Sequence, residues 1–244
     1  MSFASRIIKV YFDFAYNRVY DHTTARLRCY QELQQRCISK LDLRDNDQVL
    51  CIGVGTGNEI IRICEMNSNV NVTGVDYSDT ALQKLRRKAL RVGKEIDTAV
   101  MDARCLDFAT GSFDKVVCIH VMDFITEVAE ATSEIIRVLK DGGQFVITYP
   151  SEIEGAKLGS NIVKDSFHQN IKSGNYLLGL LRFTAQLAMG VAYLPLILRQ
   201  KACYSQRELH VMLAPLISED FQIEEYSAYQ DFIVYGKKNK SEGE

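Results

Sequence analysis

Neither sign of charge predominates in this 244-residue sequence: 29 basic residues stand against 31 acidic ones, for a formal net charge of -2. A chain so balanced has no global field to concentrate it on a polyanion, which argues against a nucleic-acid substrate. There is no Cys-x-x-Cys pair. The seven cysteines, at 29, 37, 51, 64, 105, 118 and 203, are odd in number and fall mostly in apolar runs, where reduced thiols act as small hydrophobes. No metal site is expected. The first ten residues set Arg6 and Lys9 in a short apolar stretch without a small-residue cleavage site, so no secretory signal is read and a cytoplasmic location is expected. No internal repeat or low-complexity tract occurs, apart from a polar tail from Lys237. What remains, 47% hydrophobic and 25% charged, describes an ordinary globular chain that we expect to form one domain.

The chemistry-bearing positions fall at the ends of apolar runs. Asp47 to Val54 (DQVLCIGV) opens directly into Gly55-Thr56-Gly57 and then a helical pattern from Glu59 to Glu65, which reads as strand, tight turn and helix. Val70 to Val75 is a second, β-branched run that stops at Asp76, and Ser78-Asp79-Thr80 then caps a long polar helix through Arg91. Further strands are expected at Thr98 to Met101, ending at Asp102, at Phe113 to Ile119 and at Gln144 to Tyr149. A helix from Val128 to Leu139 should end at Asp141-Gly142-Gly143. Alternating strands and helices predict an α/β fold with a mostly parallel sheet covered on both faces. After Pro150 the pattern breaks for about fifty residues, longer than a plain connection, so helices over the active site are expected there. A capped helix from Ser205 to Leu213 and two closing strands, Phe221 to Ser227 and Phe232 to Gly236, complete the reading.

Gly53-Val54-Gly55-Thr56-Gly57 supplies a turn that glycine makes cheaply and brings backbone close to a ligand. A dinucleotide-type phosphate cradle would want a glycine where Asn58 stands, and the Walker lysine is missing, so a pyrophosphate site is disfavoured. Asp76, about twenty residues past the glycines, sits where nucleoside-binding folds place a carboxylate on ribose hydroxyls. Asp76 could instead be a helix cap and Asp102 a turn residue. Their joint register favours a site.

These residues resemble class I S-adenosylmethionine-dependent methyltransferases. VLCIGVGTG looks like their first motif and VTGVDYS like the acidic end of strand two. MDARCLDF looks like the adenine-contacting segment, SFDKVVCIHVMDFI like the fourth-strand motif and IIRVLKDGGQFVIT like the following helix, turn and strand, so the likeness covers roughly residues 45 to 150 in order. The resemblance implies a Rossmann-like, doubly wound, seven-stranded sheet with an antiparallel final strand and S-adenosylmethionine as cofactor. Gly53, Val54, Gly55, Thr56 and Gly57 would line its methionine end, Asp76 would hold the ribose, Tyr77 would pack on the adenine and Asp102 with Ala103 would contact the adenine edge. Ile119 and His120 would complete the cofactor contacts. The sequence departs from the family at Cys51, where an acidic residue is common; Glu59 is expected to compensate.

The segment Tyr11 to Asp21 (YFDFAYNRVYD) resembles the lid of small-molecule members, with Tyr20 near the sulfonium; an amphipathic helix packed on the sheet is the alternative. The organisation expected is therefore a helical lid over 1–44, a cofactor core over 45–150, an acceptor cap over 151–204, a closing helix and strand pair over 205–236 and a tail over 237–244. Within the cap, Tyr176 to Leu198 is strongly apolar, yet Arg182, Gln186 and Pro195 argue against a spanning helix; a lid, a homodimer face and a peripheral membrane contact all stay open. Sulfonium chemistry needs a base only for protonated nucleophiles, and His120 is the best-placed candidate, with His168 second. The fourth strand continues Cys118-Ile119-His120-Val121, unlike the Asn/Asp-Pro-Pro-Tyr clamp of nucleic-acid amino methyltransferases. The expected substrate is a hydrophobic or amphipathic small molecule. Phospholipid amine methylation is the alternative, since the turn, the segment VMDARCLDF and the apolar insertion look like those of bacterial phosphatidylethanolamine N-methyltransferases. A cofactor-binding module without turnover is the reading from a different class.

Overall fold

A computed structural model describes residues 27–151, 203–217, 221–229 and 231–239, together with Asp13, Asp21, Ala25 and scattered positions between 164 and 185. Among them, helices α1 (Arg28–Ile38), α2 (Asn58–Met66), α3 (Asp79–Arg91), α4 (Val128–Val138) and α5 (Gln206–Leu213) accompany seven strands. The strands are β1 (Gln48–Ile52), β2 (Asn71–Asp76), β3 (Asp97–Val100), β4 (Phe113–Cys118), β5 (Leu139–Pro150), β6 (Phe221–Tyr226) and β7 (Asp231–Lys237). They form one sheet in the order β3-β2-β1-β4-β5-β7-β6. The β1, β2, β3, β4 and β5 pairings are parallel, and β7 runs antiparallel between β5 and β6. This is the Rossmann-like architecture expected.

The sheet is covered on both faces, and the two-residue period of its strands divides the core. Leu50, Ile52, Val116 and Cys118 join one apolar cluster, while Val49, Cys51, Val117 and Ile119 join the other. Helix α1 adds Leu33, Cys37 and Ile38 to the second cluster, so residues just ahead of β1 are part of the core. Each fully buried aliphatic side chain contributes on the order of 1.5–3 kcal/mol, which explains why the runs at the centre of the sheet are continuous.

Helix α5 begins as its sequence demands: Ser205 accepts from the Glu208 backbone N–H at 3.3 Å and Glu208 reaches back to the Ser205 N–H at 2.8 Å, a reciprocal capping box. The fifth strand differs from expectation. It starts at Leu139, directly after α4, because Phe113 pairs with Leu139 before the register shifts to Lys115 with Gln144. The expected glycine turn survives inside the ladder: Gly142 takes φ +76°, its N–H donates to the Lys238 carbonyl at 2.8 Å, and the Lys238 N–H donates to the Gly143 carbonyl at 2.9 Å. Among the described residues no helix is long and apolar enough to cross a membrane.

Candidate cofactor and acceptor site

Sheet order reverses at β1, which has β2 on one side and β4 on the other, so the crevice where doubly wound folds take ligands lies at the carboxyl ends of these strands. The turn after β1 is held by bonds from the Gly53 and Val54 N–H groups to the Val75 carbonyl and from the Gly57 N–H to the Val54 carbonyl. Gly53, Gly55 and Gly57 have φ of +65°, +50° and +82°, a region costly for other residues. Their surroundings differ. A Cβ on Gly53 would lie 2.1 Å from Val121 and one on Gly57 2.2 Å from Leu85, whereas one on Gly55 would meet nothing within 4 Å. Gly53 and Gly57 thus seat the turn on the protein, and Gly55 faces open space. Val54 and Thr56 are buried residues of the turn.

Asp76 ties β2 to this turn. Its Oδ2 accepts from the Gly55 N–H at 2.7 Å and its Oδ1 from the Ser78 N–H at 2.8 Å, so each oxygen keeps acceptor capacity for a hydroxyl. Burial pushes its carboxyl up to about 6, against the opposing pull of those backbone bonds. Ser78 also caps α3, accepting from the Ala81 N–H at 3.2 Å, so the helix-cap role considered for Asp76 belongs to its neighbour.

Beside Asp76, Tyr77 is half-buried, and burial, then the Asp102 carboxylate, raises its phenol. Asp102 is gripped by Arg104, whose Nε and Nη2 donate at 3.0 and 2.6 Å; this bond keeps the Asp102 carboxyl below its ordinary range. Arg104 also reaches Glu127 at 2.6 Å. Ala103, between them, is buried. Sequence reasoning passed over Arg104, although an arginine two residues beyond an acidic strand end is a local signal for such a fork.

Two further features escaped it. Lys88 of α3 donates to Asp21 at 2.6 Å, to Asn58 at 2.8 Å and to Thr56 Oγ1 at 3.0 Å, while the Thr56 hydroxyl donates to Asp21 at 2.6 Å. Asp21 is thereby fastened beneath the glycine turn, and the Ser78 hydroxyl donates to Asp13. Asp13 and Asp21, both ahead of α1, thus each touch one of the two motifs, Asp21 at Thr56 and Asp13 at Ser78. Glu59, expected to stand in for the missing acid at Cys51, is buried under the turn, where desolvation, joined by the charge of Asp76, raises its carboxyl to about 8; Gln34 donates to it at 3.4 Å.

At the end of β4, Ile119 is buried and His120 takes φ +57°, a conformation unusual for a residue with a side chain. Its N–H donates to Thr148 Oγ1 at 2.9 Å. The imidazole stacks on Tyr30, with centroids 5.1 Å apart, and meets the edge of Tyr229 at 4.7 Å. Nδ1 lies 3.1 Å from Asp123 Oδ2, in the 3-10 turn Met122–Phe124, and Nε2 lies 3.2 Å from Asp231 Oδ2 at the start of β7. Burial works to lower the imidazole's pKa, but Asp231 and Asp123 outweigh it and hold it above the ordinary value. His-x-x-Asp was visible in the sequence; Asp231 gave no local sign. His168 is an exposed residue of the insertion and is not among the described side chains around His120. Tyr20 lies outside the described residues.

Residues 50–147 match the family described as "Methyltransferase domain". Residues 50–147 are thus similar to a methyltransferase domain, as the resemblance of the motifs to class I S-adenosylmethionine-dependent methyltransferases implied. It is 37% identical over 102 residues to the phosphatidylethanolamine N-methyltransferase of Cereibacter sphaeroides, a match covering 41% of this chain and 49% of that protein. It is 31% identical over 110 residues to the demethylmenaquinone methyltransferase of Thermus thermophilus, covering 45% of this chain and 50% of the relative. The chain thus spans about half the length of these curated relatives. A solved putative S-adenosyl-L-methionine-dependent methyltransferase of Methanococcus maripaludis shares the fold at 17% identity and a TM-score of 0.59, with 95% of each chain covered. S-adenosylmethionine is the cofactor of this domain class. The turn and strand ends fit it: the open side of Gly55 leaves room for close approach, and Asp76 keeps acceptor capacity for ribose.

Proposed function

We propose that the protein transfers a methyl group from S-adenosylmethionine to an apolar or amphipathic small molecule. The observation that carries this reading is the Gly55 to Asp76 bond at the sheet's switch point, which joins the open glycine turn to the ribose-type carboxylate. When bound, the cofactor supplies an activated methyl on a sulfonium. An acceptor atom held in line bonds the methyl carbon with its own lone pair while the carbon–sulfur pair stays on sulfur, so the protein's part is positioning and exclusion of water. Gly53, Val54, Gly55, Thr56 and Gly57 place the methionine end, Asp76 and Tyr77 the ribose and ring, and Asp102 with Ala103 the adenine edge. Where the acceptor carries a proton, it is handled at the His120 cluster. Tyr20 and His168 are assigned to the acceptor side in the same reading.

The acceptor class is supported by exposed apolar side chains in the insertion, Tyr176, Leu177 and Leu180 being 74%, 72% and 60% exposed, and by the lipophilic acceptors named for both curated relatives. Phospholipid amine methylation is favoured second, by the relative from Cereibacter. The deciding assay supplies methyl-labelled cofactor with a detergent-dispersed quinol or with phosphatidylethanolamine vesicles, and includes vesicle flotation. Label in the quinol with protein left in the buffer supports the first reading. Label in floated vesicles supports the second. Cofactor binding without S-adenosylhomocysteine release from any acceptor would instead make the chain a non-catalytic module.

A further inference from the structure

The guanidinium of Arg104 spends its three nitrogens on two acids. Nε and Nη2 fork onto Asp102 Oδ1 and Oδ2 at 3.0 and 2.6 Å, and Nη1 donates to Glu127 Oε2 at 2.6 Å. The Arg104 backbone N–H adds a bond to Asp102 Oδ1 at 3.0 Å. We propose that Arg104 is a positioning residue for base recognition: it aims the one open acceptor of Asp102 at the exocyclic amino group of the cofactor's adenine, and so makes the site select adenine over hypoxanthine. This role rests on the proposed S-adenosylmethionine site, whose base-choosing part it identifies.

A carboxylate offers about four acceptor positions. The Arg104 backbone N–H and Nε occupy both on Oδ1 and Nη2 occupies one on Oδ2, so a single position remains, on Oδ2. The fork also keeps the Asp102 carboxyl below its ordinary range, so at neutral pH the group only accepts. The Asp102 side chain stays 31% exposed despite the fork, so the carboxylate is not sealed off from a ligand. An adenine amino group donates to such an oxygen. The oxo group of hypoxanthine would set acceptor against acceptor and leave both unpaired.

A lone surface ion pair is too loosely held to aim a carboxylate, but this guanidinium is fixed at both ends. Glu127 caps the start of α4, 23 residues beyond Arg104, so its bond stops the fork from turning and ties the β3 end to the connection between β4 and α4. The residues that follow are fastened to the same helix. The Leu106 N–H donates to Glu134 at 2.9 Å, and Arg137 donates to the Leu106 and Phe108 carbonyls at 2.8 and 2.7 Å. Within the turn the Cys105 N–H donates to the Asp102 carbonyl at 2.9 Å, so backbone and side chain of Asp102 are held together. The Asp102 charge also reaches Tyr77, where, after burial, it raises the phenol. The acid that would read the base edge thus lies near the ring that would cover the base face.

Calorimetry on the full chain, without acceptor or turnover, compares S-adenosylhomocysteine with S-inosylhomocysteine, in which an oxo group replaces the amino group. Wild-type protein should bind the adenosyl ligand more tightly by about tenfold or more. Arg104→Gln should weaken the adenosyl ligand by about tenfold and bring the ratio of the two affinities close to unity, because Asp102 is then free to turn. Arg104→Lys keeps the charge and gives up the fork, so its ratio should fall too, by less. Asp76→Ala, at the ribose, should weaken both ligands alike and leave the ratio at the wild-type value, which separates base recognition from general damage to the site. Should Arg104→Gln fail to fold, Arg104→Lys decides. A wild-type ratio near unity, or an undiminished ratio in a folded Arg104 variant, would overturn the role of Arg104 and leave the cofactor reading in place. No binding of S-adenosylhomocysteine by wild-type protein would overturn that reading and this role together.

Discussion

Asp76 and Gly55, twenty-one residues apart in sequence, are joined by a 2.7 Å bond in which the carboxylate of one strand end accepts the backbone N–H of the neighbouring turn. The carboxylate therefore shapes the turn as well as offering acceptor capacity to a ribose. Asp76→Ala should lose cofactor affinity by about 1.5–3 kcal/mol, roughly 10- to 150-fold, as expected for bonds to a charged group. Calorimetry on the folded variant checks this, and wild-type affinity would remove Asp76 from the site.

The same carboxylate makes cofactor binding depend on pH. Burial raises it to about 6, so below that value it is protonated and loses part of its acceptor capacity. Affinity for S-adenosylmethionine should rise as pH increases through about 6 and then level off. In stability the sign is opposite: the folded state holds this proton to higher pH than the ordinary value of 3.8, so this group's contribution falls as pH rises between the two. A binding curve without an inflection near that value would show that the ribose contact does not involve this group.

Glycines of the turn should separate binding from folding. A Cβ on Gly57 would press on Leu85 at 2.2 Å in a left-handed conformation, so Gly57→Ala should lower the melting temperature. A side chain on Gly55 meets open space but has φ +50° and projects into the ligand's side of the turn. Gly55→Val should fold with a modest loss of stability and fail to bind cofactor. Normal binding by that folded variant would contradict the turn assignment.

How much of this was legible in the sequence follows from the range of each signal. The β1 turn, Asp76 and the Ser205 cap are local patterns, in which a few adjacent residues encode both the backbone shape and the chemistry, and they stand where they were expected. The start of β5 was misplaced because its extension relies on pairing with Phe113 and with Lys238, residues distant in sequence. Lys88 and Asp231 escaped for the same reason: on α3 and at the start of β7 they look like ordinary surface charges, and only the packed fold brings them to Thr56 and to His120. Tyr20, Arg182, Gln186 and Pro195 lie outside the described residues.

Glu59 offers a test of what replaces the acid missing at Cys51. Buried and raised to about 8, it is protonated in the folded chain at neutral pH, while an unfolded carboxyl ionises near the ordinary 4.5. The folded state thus binds more protons across that interval, and this group's contribution to stability falls as pH rises through it. Glu59→Gln removes the dependence, so its melting temperature should exceed that of the wild type most clearly above about 8. If Glu59 also orients the turn or the methionyl ammonium, the same variant should bind S-adenosylmethionine more weakly. Unchanged affinity would leave Glu59 a purely structural acid.

The last prediction concerns what selects the acceptor. The segment from Glu152 to Tyr204 follows β5, and in doubly wound folds that end of the sheet gathers ligands. It returns to the sheet where the Tyr204 N–H donates to the Pro150 carbonyl at 2.9 Å, so both its ends are anchored at the carboxyl edge of β5. Leu180 is 60% exposed and Phe183 is partly buried with its ring against Phe167, an arrangement suited to an apolar pocket wall or a lipid-facing surface. Replacing Leu180 and Phe183 by polar residues should lower acceptor turnover about tenfold or more, on the scale of losing one or two apolar contacts, while cofactor affinity holds. The two must be measured separately, by labelled-methyl transfer and by calorimetry. Loss of soluble folded protein would make these side chains core. Release from vesicles with soluble-acceptor turnover intact would make them a membrane contact, and unchanged behaviour in every assay would refute the role of this segment in acceptor choice.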